Sequence, residues 1–270
     1  MFDVVCEVEA ARRPDLAGVR GQVAALLAVT TRFVVPDNRL GRASVSSLAV
    51  AHEIRQAGAT PLVCLNARDR NELGFRRDLL TAAAYGVHEL VVLSGDGPRP
   101  GVTSAGVPAG GDPGRLTAAA LLAAVRGAAA DPAFAGQPPF RVGVATGPNP
   151  VPDWKRSADF VLAQIDFSVE AQLRWRDAAD LDLPVYAGVM VLASAALGAA
   201  LAATMPGVTV PAELLAAVAA DPAAGVEYAC QQVAALRESG AYEGVYLVPV
   251  SRYRDLATRL SASGNRPAGT

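Results

Sequence analysis

Apolar, β-branched residues collect along the chain in eight short runs bounded by turn signals. They are DVVCEV (3–8), RFVVP (32–36), PLVCLN (61–66), ELVVLSG (89–95), RVGVATG (141–147), DFVLAQIDF (159–167), PVYAGVMVL (184–192) and GVYLVPV (244–250). Most are continuous rather than alternating. A strand covered on both faces reads this way, which favours a parallel sheet. Between the runs lie helix-like stretches such as LAGVRGQVAALLAV, SSLAVAHEIRQAG and NELGFRRDLLTAAAYG. Ser44 to Ser47 offer caps, and Gly58 and Gly86 stops, where helix ends need them. Eight β–α repeats predict a (β/α)8 TIM barrel, one domain over residues 1–262, with 263–270 a disordered tail. A doubly wound sheet is the runner-up, but it usually has fewer strands and a phosphate loop after the first, and no GxGxxG follows VVCEV.

The chain has 270 residues, long enough for one barrel. Its 24 basic and 26 acidic residues nearly balance, which argues against a broad nucleic-acid face. From Leu183 to Ala212 no residue is charged, yet Pro184, Pro206 and Pro211 interrupt the stretch, and it divides into a β-branched half and an Ala-rich half. A strand followed by a helix explains it better than a membrane span. Cys6, Cys64 and Cys230 lie far apart and only two histidines are present, so neither a disulfide framework nor a zinc site is expected. The N-terminus has no basic segment ahead of an apolar one, so a cytoplasmic location is expected.

Barrel chemistry sits at the C-terminal ends of the strands, so the polar groups closing each run are the informative ones. The first run closes on Glu7, a carboxyl among apolar neighbours. Desolvation there would raise its pKa towards the range of a general acid. Asp37 and Asn38 follow the second run, Asn66 to Asn71 the third, Ser94-Gly95-Asp96 the fourth, and Thr146 and Asn149 the fifth. Gln164 and Asp166 on the sixth are two apart, which points them to one side. Lys155 is the chain's lone lysine, beside Trp154, and is a candidate phosphate contact. The Gly-rich stretch from Gly97 to Gly114 is the longest loop, placed over the mouth.

Several segments in order resemble the methylenetetrahydrofolate reductase family: VVCE ending in Glu7, PDNRLGRASVSSLAVAHEI, ARDRNELGFRRDLLTAAAYGVHELVVLSGDGP, VGVATGPNP, ADFVLAQIDFSVE, PGVTVPAELL and GVYLVPVSRY. The resemblance is closest to the branch with an Arg-Asp-Arg-Asn segment, as in reductase domains fused to homocysteine methyltransferase. It implies a barrel that holds FAD at its mouth and uses NAD(P)H to reduce 5,10-methylenetetrahydrofolate to 5-methyltetrahydrofolate. It implies Glu7 as general acid, Asp96 beside flavin and folate, and Gln164 on the pterin. It implies cofactor contacts at Asn66, Ser94, Gly95, Asp96, Ala145 and Lys155. The sequence departs from the family on the third strand, where Leu62 or Cys64 replaces a histidine that lies against the flavin, and Ser94 replaces an arginine before Gly-Asp.

Three functions follow as expectations. The first is the FAD-dependent reductase. The second is a flavin-free relative that binds reduced folate and takes hydride directly from a nicotinamide or passes on the one-carbon unit. The third is a non-catalytic binding barrel. A small-molecule folate is the expected partner, without nucleic acid or membrane, and a homo-oligomer is left open by the Ala-rich outer helices.

Overall fold

A computed structural model describes residues 2–9, 11–95, 116–147, 150–205 and 207–262. Eight parallel strands close into a barrel in sequence order. They are β1 (Asp3–Glu7), β2 (Arg32–Val35), β3 (Thr60–Asn66), β4 (Glu89–Leu93), β5 (Arg141–Thr146), β6 (Phe160–Ile165), β7 (Val185–Met190) and β8 (Gly244–Val248). The helices are α1 (Ala17–Leu26), α2 (Ser47–Gln56), α3 (Glu72–Ala84), α4 (Ala118–Gly127), α5 (Val169–Ala179), α6 (Ala195–Thr204), α7 (Ala212–Ala220), α8 (Ala223–Ser239) and α9 (Tyr253–Ala262). Each strand expected from the sequence is present. The uncharged stretch resolves into β7, α6 and the start of α7, and no helix among the described residues is long and apolar enough to cross a membrane. The tail 263–270 and the loop 97–114 lie outside the described residues.

The strands alternate between two cores, because successive side chains leave opposite faces. Val4, Cys6, Phe33, Val63, Leu65, Leu90, Val142 and Leu247 face outward and pack beneath the helices. Val5, Val34, Leu62, Cys64, Val91, Phe160, Leu162 and Tyr186 fill the lumen. The continuous apolar runs reflect this double covering. Gly143 makes room for Phe160: a Cβ there would meet its ring at 2.3 Å. Cys6, Cys64 and Cys230 are all free and buried.

The lumen is closed at the N-terminal ends of the strands by ions. Arg32 pairs with Asp3 and Glu89 and donates to the Tyr186 hydroxyl at 2.9 Å. Arg141 reaches Glu89 at 3.2 Å and lies 4.7 Å over the Phe160 ring. Following the same inward faces upward gives Asp3, Val5, Glu7 on β1 and Phe160, Leu162, Gln164 on β6. The period of two therefore carries Glu7 and Gln164 to the open end.

Candidate active site

At that open end lies a cavity of about 590 Å³, within the size range of small-molecule sites. Glu7, Asn66, Ser94, Gly95, Ala145, Lys155 and Gln164 all line it. These residues thus converge on one cavity; Asp96, expected with them, lies outside the described residues, as does Asn149.

Glu7 is buried, at 5% exposure. Its Oε1 accepts from Arg39 Nη1 at 2.8 Å, and its Oε2 accepts from the Tyr246 hydroxyl. Burial raises the Glu7 pKa above its ordinary value, and the Arg39 charge and the Tyr246 bond oppose that rise without cancelling it. The Tyr246 hydroxyl itself is held well above its ordinary range, first by burial and then by the Glu7 charge, so it stays a donor.

Sequence reasoning did not single out Arg39 or Tyr246. Arg39 enters the mouth from a short turn, Arg39–Gly41, that begins after Asn38 in the left-handed region at φ 46°. Asparagine tolerates that conformation. Its side chain ties the loop down, donating to Asp69 at 3.0 Å and accepting from Ser44 N at 3.2 Å. Tyr246 follows from the inward parity of β8, a signal present in GVYLV but unremarkable without its partner.

The β2 and β3 exits share a buried network. Asp37 accepts from Asn66 N at 2.9 Å, from Asn66 Nδ2 at 2.7 Å and from Arg70, and Arg70 also donates to Asp78 at 2.8 Å. Asn66 Oδ1 accepts from Asp69 N at 3.0 Å. Asn66, expected as a cofactor contact, is therefore engaged as an organiser of the rim and is 1% exposed. Gly95, at φ +88°, packs on it: a Cβ would meet Asn66 Oδ1 at 3.1 Å and Arg68 Cβ at 3.0 Å. Leu62 and Cys64 both face the lumen, and Cys64 reaches the cavity floor.

Lys155 donates to Ala145 O at 2.6 Å, and its Nζ lies 5.5 Å from the centre of the Trp154 ring. Burial lowers its pKa, and no carboxylate pairs with it among the described residues. On β6 the expectation for Asp166 needs correction. β6 and β7 pair Leu162 with Tyr186 but Ile165 with Gly188, so three steps on β6 face two on β7. This bulge breaks the alternation. Gln164 and Ile165 both line the cavity, while Asp166 turns away and its Oδ1 accepts from Ser168 N at 2.8 Å.

The acid and the expected cofactor contacts occupy different arcs of the rim. Glu7 and Tyr246 stand on the adjacent β1 and β8, whereas Asn66, Ser94, Gly95 and Ala145 follow or end β3 to β5. Gln164 stands on β6.

The sequence profile of methylenetetrahydrofolate reductase matches residues 26–257. The chain belongs to that family. No curated protein matches it. Among solved structures, it is similar to an uncharacterized Clostridium thermocellum protein that binds two copies of 5-methyl-5,6,7,8-tetrahydrofolic acid. The identity is 10% and the TM-score 0.63, over 97% of this chain and 96% of that one. It is also similar to a ligand-free tryptophan synthase of M. tuberculosis, at 14% identity and TM-score 0.51, over 97% of this chain and 92% of that one. At these identities the two likenesses show the shared barrel. Family membership rests on the profile and agrees with the order of motifs in the sequence.

Proposed function

We propose that this chain reduces 5,10-methylenetetrahydrofolate to 5-methyltetrahydrofolate, with NAD(P)H as the hydride source and Glu7 as general acid. The observation that carries the reading is the buried Glu7 carboxyl, raised above its ordinary pKa, sharing one cavity with Gln164. Family membership and the reduced folate bound by the Clostridium thermocellum protein support it. Glu7 gives its proton to the ring nitrogen that leaves as the imidazolidine opens. Tyr246 and Arg39 hold the resulting carboxylate, and the apolar walls around Met190, Leu162 and Val248 limit water. Gln164 offers both donor and acceptor to a pterin edge.

The cavity suits a redox dinucleotide at one point in particular. Lys155 is a half-buried cation without a carboxylate partner among the described residues, and a phosphate would compensate its charge. Lys155, Ala145, Ser94 and Gly95 would hold FAD, which supplies a two-electron carrier between NAD(P)H and folate. One observation favours a second reading, direct transfer from the nicotinamide. The Asn66 amide is committed to Asp37 and Asp69, and Leu62 or Cys64 stands where the family resemblance places a flavin-facing histidine.

Visible absorption of the purified protein, with and without NAD(P)H, separates the two. A flavin band bleached by NAD(P)H supports FAD, and a colourless active enzyme supports direct transfer. For the shared reading, Glu7→Gln is expected to lower turnover by about 10²- to 10⁴-fold while 5-methyltetrahydrofolate binding persists. An unimpaired Glu7→Gln enzyme would remove the acid role.

A further inference from the structure

The bulge beside Gln164, which turns Asp166 out of the cavity, is built from both sides. On its β7 side stands Gly188, where a Cβ would lie 2.6 Å from Ala163 O, 2.6 Å from Ile165 N and 2.7 Å from the Gln164 carbonyl carbon. All three are backbone atoms, so no side-chain rotation relieves the clash. Any other residue at 188 forces the bulge to move.

Behind the bulge lies a buried amide pair. Gln172 and Gln232 are 4% and 3% exposed. Gln172 Nε2 donates to Gly188 O at 2.7 Å. Gln232 Nε2 donates to Asp166 O at 2.6 Å and to Gln172 Oε1 at 2.8 Å. Two tyrosines extend the clamp: Tyr242 donates to Gln172 O and Tyr228 to Phe167 O. Every one of these bonds ends on the backbone of the β6 exit, on Gly188, or on the pair itself. Buried polar groups are costly unless satisfied. An apolar core would serve packing alone, so the arrangement is explained by what it holds in place.

We propose that Gly188 and the Gln172–Gln232 pair are the positioning device for Gln164, fixing the bulge so that its amide meets the donor–acceptor edge of a pterin. A regular β6 would bring Asp166 to the inward face as well, placing a carboxylate where the ring carbonyl of such a ligand approaches. The bulge turns Asp166 away and leaves the neutral amide. This inference rests on the proposed folate reading.

The test measures 5-methyltetrahydrofolate affinity together with amide hydrogen exchange of residues 163–167. Gln164→Ala is expected to weaken binding about tenfold, about 1.4 kcal/mol, with exchange unchanged. Gly188→Ala is expected to weaken binding by a similar factor and to speed exchange in 163–167. The double variant should bind within about twofold of Gln164→Ala alone, because both changes remove one contact. Gln232→Met, which leaves β7 intact, should reproduce both effects of Gly188→Ala and covers the case in which the glycine variant does not fold. Multiplying penalties in the double variant, or unchanged exchange in Gly188→Ala and Gln232→Met, overturns the positioning role. Full affinity in Gln164→Ala overturns Gln164 as the pterin contact and the inference with it. A wild-type protein that ignores 5-methyltetrahydrofolate overturns the folate reading, and exchange then still decides whether the clamp holds the bulge.

Discussion

Tyr246→Phe isolates a single bond to the candidate acid. The ring fills the same part of the lumen, and only the hydroxyl that donates to Glu7 Oε2 is lost. A hydrogen bond to a charged group contributes about 1.5–3 kcal/mol. Each pKa step is about 1.36 kcal/mol, so the Glu7 titration should rise by about one to two pH units. The other groups facing Glu7 leave this sign intact. Arg39 remains charged, Cys64 is buried with its thiol held well above the usual range, and Glu9 only adds to the rise. An acid must be protonated to give its proton, so activity falls as pH rises through its pKa. The variant's alkaline limb in kcat/KM should therefore move up by about one to two pH units, although peak activity drops. Stability carries the same sign. A carboxyl whose folded pKa is raised contributes stability that is complete at acid pH and is lost as pH rises through the raised value. The Tm gap between variant and wild type should thus widen from acid to neutral pH. A limb that stays in place or moves down, in a variant with unchanged circular dichroism, would refute the account of Glu7.

Other consequences concern separate parts of the barrel. Arg70→Ala leaves Asp37 without its Arg70 partner and Asp78 with Arg77 alone at 3.5 Å, both carboxylates being under 15% exposed. It should cost about 3–5 kcal/mol by urea unfolding. Lys155→Ala should raise the KM for NAD(P)H, or weaken flavin retention, about tenfold (~1.4 kcal/mol), and leave 5-methyltetrahydrofolate affinity unchanged. Equal loss of both affinities would place Lys155 elsewhere in function. Arg32→Met breaks the ionic floor, not the mouth. It should lower stability by about 1–3 kcal/mol in chemical denaturation, with the Kd for folate unaltered.

The order and number of β–α units are written locally in the chain, because burial on both strand faces demands continuous apolar runs and caps mark the helix ends. So is the emergence of Glu7 and Gln164 at the mouth, since each is an inward residue near the C-terminal end of its run. What surrounds them is not local. Tyr246 lies 239 residues from Glu7, and only closure of β8 onto β1 makes them neighbours. Arg39 reaches the acid because Asn38 adopts a left-handed turn, and Asn66 organises the rim because Asp37 and Asp69 fold onto it. The inward pairing of Gln164 with Asp166 was the natural reading of a two-residue repeat. It fails because a glycine on the next strand lets the β6 backbone bulge. Periodicity along one strand specifies faces, whereas bulges and charge partners depend on atoms contributed by other strands, and these meet only when the barrel closes.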